Sequence, residues 1–294
     1  MRIYLLLYNA FISVYTMGIR VAAIWNEKAA LWVSGRRLQS AEIRSLPIAN
    51  RKVTWMHCAS LGEFEQGRPL LEALRAEFPG NYYVVTFFSP SGYEVQKNYA
   101  GADKVLYLPS PTAGKAREFI KALNPALVLW VKYEYWYHYL RELNRSGVPV
   151  LLVSAIFRER QPFFQWYGRL HRQMVQYFKH VFVQDKKSAD LLTQLDSNIP
   201  ITISGDTRFD RVVQIAGAGE AIPLIEAFRG DHPLLVAGST WPDDEEELDH
   251  YCNTSEKLKT VLAPHHIDEP HLLDIEKLFK KTIRFSQLKT ISAE

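Results

Sequence analysis

This chain has few cysteines and a small net charge, and each of these features excludes some classes of protein function. Its 294 residues include two cysteines, Cys58 and Cys252, which lie far apart and match no metal-binding or redox spacing. The formal net charge at pH 7 is only +3, so nothing in the overall composition points to nucleic acid as a partner. We therefore expect ordinary thiols in a reducing compartment and no nucleic-acid-binding function.

Three well-known site motifs are missing as well. No Gly-x-Gly-x-x-Gly follows the first predicted strand and no Gly-Lys-Ser/Thr loop occurs, which removes the main support for a dehydrogenase or a kinase. The lack of a Gly-x-Ser-x-Gly elbow weakens a hydrolase interpretation. His265, His266 and His271 lie near one another in the sequence without the His-Glu-x-x-His spacing of a zinc helix, so no metal site is predicted.

The composition is that of a globular protein, with 47% hydrophobic and 13% aromatic residues, which excludes a mainly disordered chain. From Val53 to about Pro200, apolar segments rich in Val, Leu and Ile alternate with segments of helical spacing. This alternation predicts a parallel, doubly wound sheet. The first strand is predicted at residues 53–56. Five more follow before Pro200, at residues 82–88, 104–108, 127–131, 148–153 and 180–183, and another begins at Ile201.

A second α/β pattern follows a stretch rich in Ala and Gly, 216–220, which is predicted to be a linker. It consists of a strand at 233–240, an acidic helix from Pro242 and a strand at 260–266. Two strands and two helices are too few for a Rossmann-type domain, so we expect this second domain to be incomplete in the chain.

The amino terminus is apolar and aromatic over residues 1–25, and its core at 3–19 is barely long enough to span a bilayer. No small-residue cleavage site follows, which disfavours a removed signal peptide. A membrane anchor, spanning the bilayer or lying in its interface, is favoured over a buried core helix. Basic residues that would keep this side in the cytoplasm follow it: Arg20, Arg36, Arg37 and Arg44.

The turn after the first strand carries a Ser-x-Gly-Glu sequence, with a helix predicted to begin near Gly62. Free backbone N–H groups at a helix start favour a negative charge or a nucleophile. Glu63 is therefore either a carboxylate that only complements the helix dipole or a general base at the carboxyl end of a strand. From this turn alone, the first interpretation is the better one.

Several short motifs follow one another in a fixed order along the chain. They are His57 to Glu63, Thr86 with Ser89-Pro90-Ser91-Gly92, Tyr107-Leu108-Pro109, Glu134-Tyr135-Trp136, Gly205 to Asp210, Gly238-Ser239-Thr240 and Ala263-Pro264-His265-His266. Together they resemble one family, the Kdo (3-deoxy-D-manno-octulosonic acid) transferases of Gram-negative bacteria, which add Kdo to the lipid A precursor. The resemblance covers nearly the whole chain, and the order of the motifs makes it specific.

The resemblance implies a GT-B glycosyltransferase, an α/β protein with two Rossmann-like domains. We expect a membrane anchor and basic connector at residues 1–50, an acceptor-binding domain at 51–214 and a partial CMP-Kdo-binding domain at 215–294. The family's later donor segment, which ends in Asn-Pro-Leu-Glu, is absent from this sequence. The protein is expected at the cytoplasmic face of the bacterial inner membrane.

The resemblance also implies the catalytic residues. Glu63 would be the base that deprotonates the acceptor hydroxyl, and Arg208 the cation that offsets charge on the leaving phosphate. Where the family often has Glu-x-Glu-x-Trp, this chain has a lysine at the first position, so that contact is assigned to Lys132 and Glu134 jointly. No cofactor or metal is implied.

The remaining implied residues bind the two substrates. CMP-Kdo is expected at Ser239, Thr240, His265 and His266. The lipid acceptor is expected at Ser60, Gly62, Ser89, Ser91 and Arg158. The basic, aromatic stretch at 163–178 either covers the core or contacts a lipid head group together with Arg158.

The sequence thus predicts transfer of Kdo from CMP-Kdo to the lipid A precursor (lipid IVA). Two alternatives stay open. One is a truncated, non-catalytic remnant that binds the lipid A precursor, and the other is a different sugar-nucleotide glycosyltransferase.

Overall fold

The computed structural model describes residues 2–48, 50–196, 198–219, 221–255 and 257–291. The chain divides into two compact units, Met1–Gly217 and Ala218–Glu294. Each unit contains parallel strands with helices between them, as the alternation in the sequence predicts.

Two helices precede the sheet of the first unit, α1 (Arg2–Ala22) and α2 (Glu27–Arg44). By length and composition, Ile3–Ala22 is apolar enough to cross a membrane. One face of α1 nevertheless packs on the protein. The Tyr8 hydroxyl accepts the N–H of Tyr137 at 3.1 Å, and the Asn9 side chain lies 2.7 Å from His138 Nε2.

Seven parallel strands form the sheet of the first unit, in the order β3-β2-β1-β4-β5-β6-β7. The order reverses between β1 and β4, and in open α/β sheets ligands bind beside the carboxyl ends of the strands at such a switch point. The strands are β1 (Val53–Cys58), β2 (Tyr82–Phe87), β3 (Lys104–Tyr107), β4 (Pro125–Val131), β5 (Val150–Ala155), β6 (His180–Val183) and β7 (Ile201–Ile203). Helices connect them: α3 (Leu61–Glu77), α4 (Pro90–Gln96), α5 (Ala113–Leu123), α6 (Tyr137–Arg145), α7 (Arg169–Val175), α8 (Lys186–Leu195) and α9 (Arg208–Ala218).

The sheet is buried on both faces because successive residues of a strand point to opposite sides. In β1, Trp55 packs with Phe119 and Trp130 on one side, at ring distances of 5.1 and 5.7 Å. Its neighbour Met56 belongs to the core on the other side, with Phe64 of α3. These two cores hold β1 and β4 in register and so fix the turns that follow them.

One sequence expectation is corrected by the structure. The predicted linker at 216–220 is wrong for its first three residues, because α9 continues to Ala218. Alanine favours helix and outweighs the single exposed glycine there; residue 220 lies outside the described residues. In the basic, aromatic stretch at 163–178, α7 begins directly after Gly168, where a Cβ would lie 1.6 Å from the carbonyl oxygen of Pro162.

The second unit contains a two-stranded parallel sheet of β8 (Leu234–Thr240) and β9 (Lys259–Pro264). Among its described residues, Ile275 is the only buried hydrophobic side chain. Its helices are α10 (Pro223–Arg229), α11 (Pro242–Thr254), α12 (Glu269–Leu278) and α13 (Phe285–Ile291).

Candidate active site

Glu63 lies in the first turn of α3, directly after β1. The backbone N–H of Ser60 donates to Glu63 Oε2 at 2.7 Å, and the Ser60 hydroxyl donates to the same oxygen. Glu63 is half-buried and takes part in no ion pair among the described residues. The carboxylate therefore caps the helix and is also fixed in direction, with Gly62 exposed beside it.

The neighbouring turn, between β2 and α4, carries two more predicted acceptor residues. The Ser89 N–H donates to the carbonyl of Ala59 at 2.8 Å, which continues the pairing of β1 with β2 into the turns. The Ser89 and Ser91 hydroxyls lie 2.9 Å apart. A Cβ on Gly92 would come within 3.1 Å of the Leu61 nitrogen, so glycine lets the two helix starts approach. The structure thus brings Ser60 and Ser89 into adjacent turns.

Lys132 follows β4, the strand paired with β1 on its other side. Its φ of +56° is a left-handed conformation that is uncommon for a residue with a side chain. The residue is only 8% exposed, and burial together with the positive charge of Arg208 lowers the pKa of its ammonium group. The negative charges of Asp206 and Glu63 oppose this shift, so both carboxylates act on Lys132 electrostatically.

Glu134 is two residues further along the same turn, and its carboxylate is held from two sides. Glu134 Oε2 lies 3.1 Å from His57 Nε2 and accepts the indole N–H of Trp136 at 2.9 Å. The indole N–H of Trp130 donates to the Glu134 backbone carbonyl. His57 and Trp136 thus position the Glu134 carboxylate, and Trp130 holds the Glu134 backbone.

Asp206 was not singled out by the sequence, yet it joins β7 and α9 to α3. It accepts two hydrogen bonds from the Arg208 guanidinium on Oδ2, at 2.9 and 2.6 Å, and one from Gln66 Nε2 on Oδ1 at 3.0 Å. Burial alone would raise the pKa of Asp206, but the hydrogen bonds from Arg208 and Gln66 lower it to about 2. Arg208 is therefore oriented by a carboxylate while its side chain stays 59% exposed.

Arg158 is an exposed residue after β5. Its backbone N–H donates to Gln161 Oε1 at 2.9 Å, and its positive charge contributes to the lowered pKa of Lys132. Arg158 therefore adds positive charge to the surroundings of the Lys132 ammonium group.

The predicted donor residues lie in the second unit, Ser239 and Thr240 at the end of β8 and His265 and His266 directly after β9. The Ser239 hydroxyl is 3.1 Å from His265 Nδ1, and the Trp241 ring stacks on His265 at a ring distance of 4.4 Å. The edge of His266 meets Trp241 at 5.1 Å. Trp241 was missed by the sequence reasoning, although an aromatic residue directly after a strand of this motif is a usable signal.

Thr240 differs from the other predicted donor residues because it is buried. Its hydroxyl donates to Glu245 Oε1 at 2.9 Å, and His271 Nε2 lies 3.3 Å from the same oxygen. Thr240 therefore holds the strand end against α11. In the part of the chain that the structure describes, no group of three or more His, Cys, Asp or Glu side chains is arranged to hold a metal ion.

The family model described as 3-deoxy-D-manno-octulosonic-acid transferase (kdotransferase) matches residues 33–211, more than half of the chain. The chain belongs to this family. Curated relatives include the 3-deoxy-D-manno-octulosonic acid transferase of Chlamydia muridarum, 28% identical over 227 residues that cover 74% of this chain and 52% of that one. The Bordetella pertussis transferase is 27% identical over 67% of this chain and 50% of its own length.

A bifunctional glycosyltransferase/methyltransferase of Fusobacterium nucleatum is 22% identical over 82% of this chain and 39% of its own length. The chain thus spans about half the length, or less, of these curated relatives.

Solved structures of low sequence identity share the fold. The UDP-GlcNAc 2-epimerase of Neisseria meningitidis bound to UDP-GlcNAc has a TM-score of 0.55 at 14% identity, over 82% of this chain and 75% of that one. S. aureus MnaA with UDP has a TM-score of 0.57 at 14% identity, over 79% of this chain and 66% of that one. At this identity the likeness concerns the fold alone, and the predicted α/β fold of the GT-B type is confirmed.

Proposed function

We propose that this protein transfers Kdo from CMP-Kdo to the lipid A precursor (lipid IVA), with Glu63 as the general base. One observation carries the proposal: at the switch point of the sheet, the Glu63 carboxylate is held by the Ser60 N–H, and it acts electrostatically on buried Lys132, as do Asp206 and Arg208, which pair with each other. Membership of the Kdo transferase family supplies the reaction class.

The proposed step is a single displacement. Glu63 accepts the proton of an acceptor hydroxyl while the oxygen of that hydroxyl forms a bond to the anomeric carbon of Kdo. The bond from this carbon to the phosphate oxygen breaks, and its electron pair leaves with CMP, so the configuration inverts. Arg208, held by Asp206, offsets the negative charge that develops on the phosphate.

Lys132 takes the place of a carboxylate of the family motif, so its charge is inverted relative to that pattern. Its ammonium group forms no ion pair among the described residues. It lies over the Tyr133 ring, 4.8 Å from the ring centre, and a buried cation that lacks a carboxylate partner favours an anionic ligand such as the carboxylate of Kdo. We assign Lys132 to that carboxylate, and Ser239, His265 and His266 to CMP.

The proposed location is the cytoplasmic face of the inner membrane, with α1 in the membrane interface. Because Tyr8 and Asn9 are hydrogen-bonded to α6, the middle of α1 rests on the protein and cannot also cross a bilayer in this arrangement. The opposite face of α1 offers apolar side chains to lipid. These exposed residues are Ile3, Leu6, Leu7, Phe11, Val14, Met17 and Val21.

The proposal is tested with purified protein, vesicles that contain the lipid A precursor, and radiolabelled CMP-Kdo. We expect labelled Kdo on the lipid, and no labelled lipid when a UDP-sugar replaces CMP-Kdo. Lipid binding without any transfer would contradict the proposal and support a lipid-binding remnant. Transfer from a UDP-sugar would instead support a different glycosyltransferase.

A further inference from the structure

His57 is fully buried in β1, yet the proposed displacement gives it no task. It pairs in register with Thr86 of β2 and Trp130 of β4, and its ring lies 4.5 Å from the Trp130 ring. An imidazole sealed from water needs a partner for each ring nitrogen. The partners that His57 has point to a specific protonation state.

The hydrogen bonds around Thr86 determine where the ring proton lies. The Trp55 indole can only donate, and its N–H reaches Thr86 Oγ1 at 2.8 Å. The same oxygen is 2.9 Å from His57 Nδ1. If Thr86 accepts from Trp55 and donates its own proton to Nδ1, the neutral ring carries its proton on Nε2, directed at Glu134 Oε2 at 3.1 Å.

Each of the other two protonation states of His57 leaves one polar group in this network without a suitable hydrogen-bond partner. A proton on Nδ1 alone would set the Nε2 lone pair against a carboxylate oxygen. An imidazolium would donate to Thr86 as well, and the Thr86 hydroxyl proton would then have no acceptor among the hydrogen bonds of the described residues. Only the neutral Nε2–H form satisfies every group in this buried network.

We propose that His57 is a positioning residue that fixes Glu134 for recognition of a sugar hydroxyl of the lipid acceptor. His57 Nε2–H and the Trp136 indole N–H together hold Oε2 of Glu134. Glu134 Oε1 has no hydrogen bond within the described residues, and the side chain is 21% exposed. This oxygen is thereby presented as a charged acceptor for an incoming hydroxyl.

The surroundings of Glu134 favour the lipid acceptor over the nucleotide donor as its ligand. Trp136, which binds Glu134, packs on Phe88 at a ring distance of 4.7 Å, and Phe88 stacks on Tyr15 of α1 at 6.2 Å. The rings of Trp136 and Phe88 therefore connect Glu134 to Tyr15 of α1, the helix assigned above to the membrane interface. This inference rests on the proposed function for the identity of the acceptor but not for the state of His57.

The first test is 15N NMR of the imidazole nitrogens, with His57→Gln to assign the signal. We expect the neutral Nε2–H tautomer at pH 7. In Thr86→Val, which lacks the hydroxyl at similar shape, the tautomer should become mixed. Thr86→Ser keeps the hydroxyl and should match the wild type. An Nδ1–H tautomer or an imidazolium in the wild type would overturn the proposal whether or not the protein transfers Kdo.

The second test measures affinity for vesicles that contain the lipid A precursor, and so needs no turnover. Thr86→Val should weaken binding about tenfold, since a charge-assisted hydrogen bond is misplaced, and Thr86→Ser should bind within about twofold of the wild type. In a Glu134→Ala background the effect of Thr86→Val should vanish. A loss that persists in that background, or no loss at all, would refute the positioning role. Failure of the transfer assay alone would refute only the proposed function.

Discussion

Two strand ends in this protein share a backbone conformation but differ in their surroundings. Lys132 after β4 and Ser239 in β8 both have left-handed φ angles, +56° and +60°. The Lys132 side chain is buried, whereas the side chains of Ser239 and its partner His265 are exposed. The same left-handed φ thus occurs at a buried strand end in one unit and at an exposed strand end in the other.

The difference follows from how much core each strand end rests on. The first unit has seven strands with hydrophobic clusters on both faces, so its turns are anchored in buried side chains. The second has two strands, and Ile275 is its one buried hydrophobic residue in the described ranges. The base proposed above has to be held in place, while the surface proposed for CMP tolerates movement.

Removing a large side chain from each unit tests this contrast in packing. Trp55→Ala deletes a ring that contacts Phe119, Trp130 and Tyr139 and should lower the free energy of unfolding by about 3–5 kcal/mol. Ile275→Ala, at 6% exposure in the smaller core, should cost no more than about 2 kcal/mol. Equal losses in chemical denaturation would show that the two units are packed alike.

Asp206→Asn tests how much the ionised pair contributes to the rigid site. The pKa of Asp206 is lowered from 3.8 to about 2, so its stabilisation is complete above pH 4 and is lost as the pH falls towards 2. We expect the variant to be less stable at pH 7 by of the order of 1–2 kcal/mol, reduced by solvent screening of Arg208. The difference in thermal midpoint should shrink between pH 4 and pH 2. Asp190→Asn, in an exposed pair with Lys186, is the control and should show almost none.

Lys132→Gln tests whether the ammonium group of Lys132 binds the donor substrate. If the ammonium binds the carboxylate of Kdo, the KM for CMP-Kdo should rise about tenfold because a charge-assisted hydrogen bond is lost. Lys186→Gln removes an exposed lysine and should leave the KM unchanged. Equal KM values for both variants would remove Lys132 from the donor contact.

Trp241→Ala tests the open strand end and should have the smallest effect. Losing the ring that stacks on His265 should weaken CMP binding about two- to tenfold in calorimetry. Tyr251 is an exposed aromatic residue of α11, the helix that follows Trp241, and Tyr251→Ala should bind CMP as the wild type does. A loss above a hundredfold would mean that this surface is as preorganised as the first site.

Much of the fold follows from the local sequence pattern. The strand at 180–183 was predicted to the residue, and the helix start at Ser-x-Gly-Glu is the capped first turn of α3. These features depend on neighbours within a few residues, where periodicity and capping are informative.

The contacts that make the site are different, because they join distant segments. His57 and Glu134 are 77 residues apart, and Gln66 and Asp206 are 140 apart. Both contacts depend on the register of several strands, which composition and spacing do not determine. The helix through 216–218 was missed for a simpler reason, since its Ala-Gly composition suits a linker as well as an exposed helix.

Glu63→Gln tests the central claim most directly. Glutamine is the other residue that serves this position of a capping box, so it can accept the Ser60 N–H and preserve the helix start while it cannot act as a base. Glu65→Gln, two residues along the same helix, is the matched control. In single-turnover transfer from CMP-Kdo, we predict that Glu63→Gln is slower by about 10²–10⁴-fold, with lipid binding and thermal midpoint unchanged. A rate within a few-fold of the wild type, or an equal loss in Glu65→Gln, would contradict the account.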